Sequence, residues 1–237
     1  MRYFQCYLSV LLLLFLFMAN GIEVSAMNTG FSTEELSEKD RNTFISNIDI
    51  SILEEKPTER AIQCFDVSKN GMIAIGQDGM EGKVLCVYSS DGKFQYAYTF
   101  NCRQSFGVEW VGEDINIYFV RSDVLVTVNQ EGEILDIAKV QDTIENNTYR
   151  NHMLCSTERT SGDTRYTIRN DMGILNVFSP SYSQLIATKS TGEEIILYDV
   201  NSVQFAKTLT VCILAVIVFL LAVAVITWQF IKLKRNA

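Results

Sequence analysis

Carboxylates are the most plentiful reactive groups in this 237-residue chain, with 28 Asp and Glu against 20 Lys and Arg and a single His. Two carboxyl groups held about 5 to 10 Å apart could cleave a glycosidic bond, one as acid and the other as base or nucleophile. Asp66, Glu109, Glu113, Asp114 and Asp123 fall on strand-like or turn-like stretches and could converge. Nothing in their spacing selects a pair, and a solvated surface is the simpler reading. Arg103, Arg121, Arg150, Arg159, Arg165 and Arg169 could likewise bind an anionic sugar. His152 stands alone in a polar stretch and cannot build a His-based metal site by itself. There is no Gly-x-Ser-x-Gly elbow, GxGxxG turn, Walker loop, HExxH or EF-hand loop. These patterns assign no catalytic, cofactor-binding or metal-ligating residue.

Cysteine chemistry is open at this level. Cys6 lies in the N-terminal segment ahead of its apolar run and Cys212 in the C-terminal apolar run, which leaves Cys64, Cys86, Cys102 and Cys155 between them. An even count in an exported domain permits two disulfides in any of three pairings. Cys64 and Cys86 also sit in apolar strand-like stretches, where a free thiol packs as a small hydrophobe. No CxxC occurs, against a metal or redox pair. Phe94, Tyr96, Tyr98 and Phe100 alternate along one expected strand, which places all four on one face, as core or as an exposed strip for a glycan or protein. Asn146-Asn147-Thr148 is an N-glycosylation sequon.

The elements that would position these groups are bracketed by two apolar segments. Arg2, an apolar run of about a dozen residues from Leu8, and Val24-Ser25-Ala26 read as a signal peptide over residues 1–26, cut after Ala26. The run from Leu209 to Ile231 holds 23 residues without a charge. At 1.5 Å per residue it spans roughly 34 Å, enough to cross a bilayer. Lys232, Lys234 and Arg235 follow in a basic tail, residues 232–237. The positive-inside rule then makes the tail cytoplasmic and puts the preceding region outside the plasma membrane. That region, residues 27–207, carries 16 basic against 27 acidic residues, a net −11. Such a surface repels phosphate, so nucleic acid is not an expected partner.

Residues 27–43 form a polar acidic leader, with Ser32 and Glu35 fitting a capping box of a short helix. Residues 44–207 are expected to be a β-repeat domain. Phe44 to Leu53 begins to alternate, with Ile48, Ile50 and Ile52 on one side. From Ile62 the chain is a series of short Val, Ile, Tyr and Phe runs bounded by Gly, Asp and Asn, with no helical stripe of three turns. The turns repeat: Ser89-Ser90-Asp91-Gly92, then Asn129-Gln130-Glu131-Gly132, then Asn170-Asp171-Met172-Gly173, about 40 residues apart. A fourth unit, from Leu185 to Ala206, lacks an expected turn glycine. A 40-residue, β-only period marks a propeller blade or a related stack of sheets.

The stretch Gly82-Lys83-Val84-Leu85-Cys86-Val87-Tyr88-Ser89-Ser90-Asp91-Gly92-Lys93-Phe94 resembles the middle of an NHL-type propeller repeat. The likeness covers mainly residues 82–100 and extends loosely to 140; the later units lack the Asp-Gly pair. It implies a propeller-like scaffold that binds through loops at one end of its blades, and it implies no reaction. The expected protein is all-β, a propeller-like stack of about four small antiparallel sheets with one C-terminal transmembrane helix. Its expected partners are the membrane, through Leu209 to Ile231, and a protein or glycan ligand of unknown identity. The alternatives are a membrane-tethered carbohydrate-active enzyme and an accessory subunit of a membrane complex.

Overall fold

The structure, a computed structural model, describes residues 30–235 apart from 81 and 180. The expected signal peptide lies outside the described residues. The β-rich runs fold as three antiparallel meanders of four strands each. Sheet I holds β3 (Ile62–Val67), β4 (Ile73–Asp78), β5 (Lys83–Tyr88) and β6 (Phe94–Phe100). Sheet II holds β7 (Phe106–Val111), β8 (Asp114–Phe119), β9 (Val124–Val128) and β10 (Ile134–Val140). Sheet III holds β11 (Glu158–Ser161), β12 (Thr164–Arg169), β13 (Gln184–Lys189) and β14 (Glu194–Asp199). Sheet I lies between the other two. Leu85, Val87, Tyr98 and Phe100 of one face pack with Phe106, Val108, Ile117 and Val126 of sheet II. Phe65, Ile75, Cys86 and Ala97 of the other face pack with Tyr166, Ile168, Leu185 and Tyr198 of sheet III. Both faces of sheet I are therefore dry, which explains why β5 is buried along its whole length.

Three sheets replace the four expected, and the cause is local. The outer hairpin of each sheet uses the same turn, a type I turn closed by a left-handed glycine. In sheet I the Ser89 N–H bonds the Lys93 carbonyl and the Gly92 N–H bonds Ser89. Asn129, Gly132 and Glu133 repeat this in sheet II, and Lys189, Gly192 and Glu193 repeat it in sheet III. Gly92, Gly132 and Gly192 have φ of 80°, 81° and 84°, where a Cβ is strained. The third turn glycine is thus Gly192, in the unit expected to lack one. Gly173 instead opens a 3-10 helix, Gly173–Phe178, inside the β12–β13 connection. The expected third and fourth units are one sheet.

The N-terminal segment enters the fold. Among the residues expected to form a leader, β1 (Thr33–Glu35) pairs with β10 at the edge of sheet II, and Phe31 is buried against Tyr118 and Leu125. Helix α1 (Glu38–Ile48) follows, capped by Ser37, whose Oγ accepts the Asp40 N–H at 3.2 Å. It takes the first half of the stretch expected as a first strand. Phe44, Ile45 and Ile48 of the helix, with Leu36 just before it, pack against the core between sheets I and II. Asp49, at φ 44°, ends the helix, and only β2 (Ser51–Leu53) remains extended, beside β6. Ile48 belongs to both a period-two and a 3.6-residue pattern, and packing chose the helix.

Helix α2 (Ile144–Cys155) was also unexpected. Thr143 caps it, and of its twelve residues only Asn146 and Met153 are buried, so no apolar stripe announces it. Helix α3 (Asn201–Arg235) leaves sheet III directly after β14. Residues 203–206, expected as strand, are its first turns. Its most apolar part has a mean hydropathy of 3.3 and none of that part is buried, so it is long and apolar enough to cross a membrane.

Candidate functional site

The first strands of the three sheets meet at one carboxylate. Asp66 of β3 accepts the Trp110 backbone N–H of β7 on one oxygen at 2.8 Å and the Arg159 Nε–H of β11 on the other, also at 2.8 Å. Sheets I, II and III are tied at this point. The side chains of Arg159 and Asp66 are only 12% and 13% exposed, and the guanidinium lies 5.5 Å above the Phe65 ring. Burial pushes the Asp66 carboxyl above its ordinary value, while Trp110 N–H and Arg159 pull against it. Glu109, one residue before Trp110, accepts a hydrogen bond from the Tyr149 hydroxyl of α2. Burial, then the charge of Asp66, raise Glu109 from 4.5 to about 7. The Asn116 side chain, which faces it across β7 and β8, pulls the other way.

Of the candidate acids and arginines, then, Asp66, Glu109 and Arg159 converge. The others do not. Glu113 sits in the β7–β8 turn and Asp114 opens β8. Asp123, in the β8–β9 turn, accepts the Tyr118 hydroxyl at 2.6 Å and lies 3.6 Å from Arg150. Arg165 and Arg169 make exposed pairs with Glu158 and Glu194, at 3.8 and 3.6 Å. Arg121 is exposed, and His152 is exposed on the last turn of α2. Both oxygens of Asp66 are engaged in holding the sheets, which leaves it poorly placed to act as a nucleophile or base.

The other sequence-level candidates resolve as packing. Cys64 faces sheet II and Cys86 faces sheet III, on opposite sides of sheet I, so they cannot bridge. Burial pushes both thiols up to about 12. Cys102 and Cys155 are free as well. The aromatic strip is split: Tyr96, Tyr98 and Phe100 face sheet II, but a register shift opposite Tyr88 turns Phe94 toward sheet III. The acceptor of the sequon, Asn146, is 3% exposed. Its side chain takes the Ser32 N–H at 2.9 Å and donates to the Ser32 and Gln141 carbonyls at 2.8 and 2.7 Å. A folded chain cannot offer it to a glycosyl carrier.

The concave surface lies elsewhere, around Asp78 at the end of β4. Lys83 Nζ, nearly buried, bonds Asp78 at 2.5 Å and the Gln63 side chain at 3.1 Å. On one side of this pair is a polar cleft of about 800 Å³ lined by Asn47, Asn101, Cys102 and Arg103. On the other is a largely apolar cavity of about 890 Å³ between the sheets and α3, lined by Phe106, Leu154, Phe178, Val211, Ala215 and Val216 among others. Arg103 was readable as an anion-binding candidate. Asn47, Asn101 and Lys83 were not, because only the α1–β2 and β6–β7 connections bring them beside it. No protein-family model matches the chain, and no curated protein matches it.

Proposed function

We propose that this is a membrane-anchored, extracytoplasmic recognition or scaffolding protein with a propeller-like β domain. The observation that carries the reading is the junction between domain and helix. β14 runs into α3 with Val200 between them, and Asn201 and Gln204 of the first turn are hydrogen-bonded to the β12–β13 connection of sheet III. The domain is thus held rigidly at the head of a helix fit to span a bilayer, as a presented binding module would be. The ordering of the sheets supports the propeller-like part. The Gly132 turn of sheet II leans on Ile52 and Tyr98 of sheet I, and the Gly92 turn of sheet I leans on Leu197 of sheet III. A Cβ at Gly192 of sheet III would meet nothing within 4 Å, in keeping with a series that ends open there.

The ligand surface in this reading is the polar cleft of Asn47, Asn101, Lys83 and Arg103. Two amides, two cations and the Asp78 carboxylate suit a glycan or an acidic peptide. Full-length protein in nanodiscs, screened against glycans and peptides, tests this. Binding that is lost in Arg103→Ala and Asn101→Ala supports the cleft. Binding that survives both removes it.

A further inference from the structure

The 3-10 helix in the β12–β13 connection is built inside out for a loop in water. Ile174, Val177 and Phe178 are 85%, 86% and 63% exposed. Its polar side chain is tied back to the loop's own backbone. Asn176 accepts the Met172 N–H at 2.9 Å and donates to the Asn170 carbonyl at 3.3 Å. The loop is fastened at both ends to the first turn of α3. Asn201 donates to the Asp171 carbonyl at 2.7 Å and accepts its N–H at 3.3 Å. Gln204 donates to the hydroxyls of Ser179 and Ser181 at 2.6 and 3.0 Å.

This clamp sets the depth of the loop. Gln204 precedes the uncharged run by five residues, about 7.5 Å along a helix. The polar interfacial layer on each side of a bilayer core is of the same size, about 5 to 8 Å. Phe178 lines the apolar cavity together with Val211, Cys212, Ala215 and Val216 of the run itself, so its ring reaches the level of that run. An apolar side chain at that level meets lipid.

We infer that Ile174, Val177 and Phe178 form a wedge that inserts into the outer interface of the lipid bilayer beside α3, fixing the domain against the membrane at a second point. This rests on the anchoring reading above, and the partner is the lipid surface itself. A single helix leaves the domain free to swivel. A second contact, held to the first by side-chain hydrogen bonds, orients it.

The test uses the full chain in phosphatidylcholine nanodiscs, one chain per disc, with the other accessible cysteines changed to Ser. An environment-sensitive fluorophore is attached at Ile174→Cys, Val177→Cys or Phe178→Cys. Asp163→Cys, in the hairpin at the opposite end of β12, is the aqueous reference, and Val218→Cys reports the helix. Insertion gives blue-shifted emission, quenching by nitroxide lipids and protection from iodide at 174, 177 and 178, but not at 163. Iodide-accessible labels at all three positions, with Val218 protected, overturn the wedge and leave the anchor standing. An iodide-accessible label at Val218 overturns the anchor as well. Protection at the three sites that appears only with two chains per disc assigns the patch to a second copy and overturns the lipid wedge.

Discussion

Asp66 and Arg159 illustrate how a residue pair resembling catalytic machinery becomes structural. Removing one member of a buried ion pair leaves an uncompensated charge, which costs about 3 to 5 kcal/mol. Arg159→Leu is therefore expected to destabilise the domain by about 3 kcal/mol in denaturant melts near neutral pH. The double variant with Asp66→Asn should recover part of that loss, because the stranded carboxylate is gone. Glu109 makes a different prediction. Between its ordinary value of 4.5 and about 7 the folded chain retains a proton that the unfolded chain releases. Stability contributed at this site therefore falls as pH rises through that window, and the penalty is complete above about pH 7. Glu109→Gln should raise stability at pH 8, on the order of 1 kcal/mol after allowing for solvent screening, and leave it unchanged at pH 4. A variant with an unaltered pH slope would mean that Glu109 titrates in the fold at its ordinary value. The convergence of Asp66, Glu109 and Arg159 was not readable beforehand, since 43 and 50 residues separate them and only the packing of three separate sheets brings them together.

At the scale of elements, the outer hairpins carry the architecture. Gly92 needs its left-handed backbone, and a Cβ there would stand 2.9 Å from the Leu197 carbonyl of the next sheet. Gly192 has the same backbone but open space around it. Gly192→Ala should cost about 1 kcal/mol from conformation alone. Gly92→Ala should cost about 3 kcal/mol, because the sheet I–sheet III contact must also give way. Equal losses in thermal melts would mean that the hairpin does not bear on sheet III. The strands and two of the three repeated turns were readable from β-branched runs and turn glycines. Of the short helices, one was expected near the start of the domain but misplaced, since Ser32 and Glu35, read as its capping box, belong to the β1 segment and Ser37 caps α1; α2 was not readable. α1 shares its apolar residues with a period-two pattern, and α2 is held by the hydrogen bonds of Asn146 and by Met153 rather than by a hydrophobic face. Gly192 went unread as a turn because Lys189-Ser190-Thr191-Gly192 lacks the Asp or Asn that marked the other turns.

At the scale of the molecule, three sheets stack in the order II, I, III, while the chain visits them in the order I, II, III. α2 is the segment that connects sheet II to sheet III, and its Met153 and Tyr149 cover the outer face of sheet II together with Phe31. Phe31→Ala is accordingly expected to lower stability by about 3 kcal/mol; no change would return residues 30–35 to the status of a leader. The C-terminal helix was readable because an uncharged 23-residue run has few alternatives, whereas the number of sheets depended on one turn.

The most direct measurement of the whole account is sided labelling in intact cells that express the full chain. Cys155 is exposed at the end of α2, and Asn236→Cys provides a reporter beyond α3. If the domain stands outside on a single spanning helix, a membrane-impermeant maleimide labels Cys155 in intact cells. It labels position 236 only after permeabilisation, and the protein stays with the membrane in alkaline carbonate. Labelling of Cys155 only after permeabilisation, or release of the protein by carbonate, would contradict an outward-facing, membrane-anchored recognition domain.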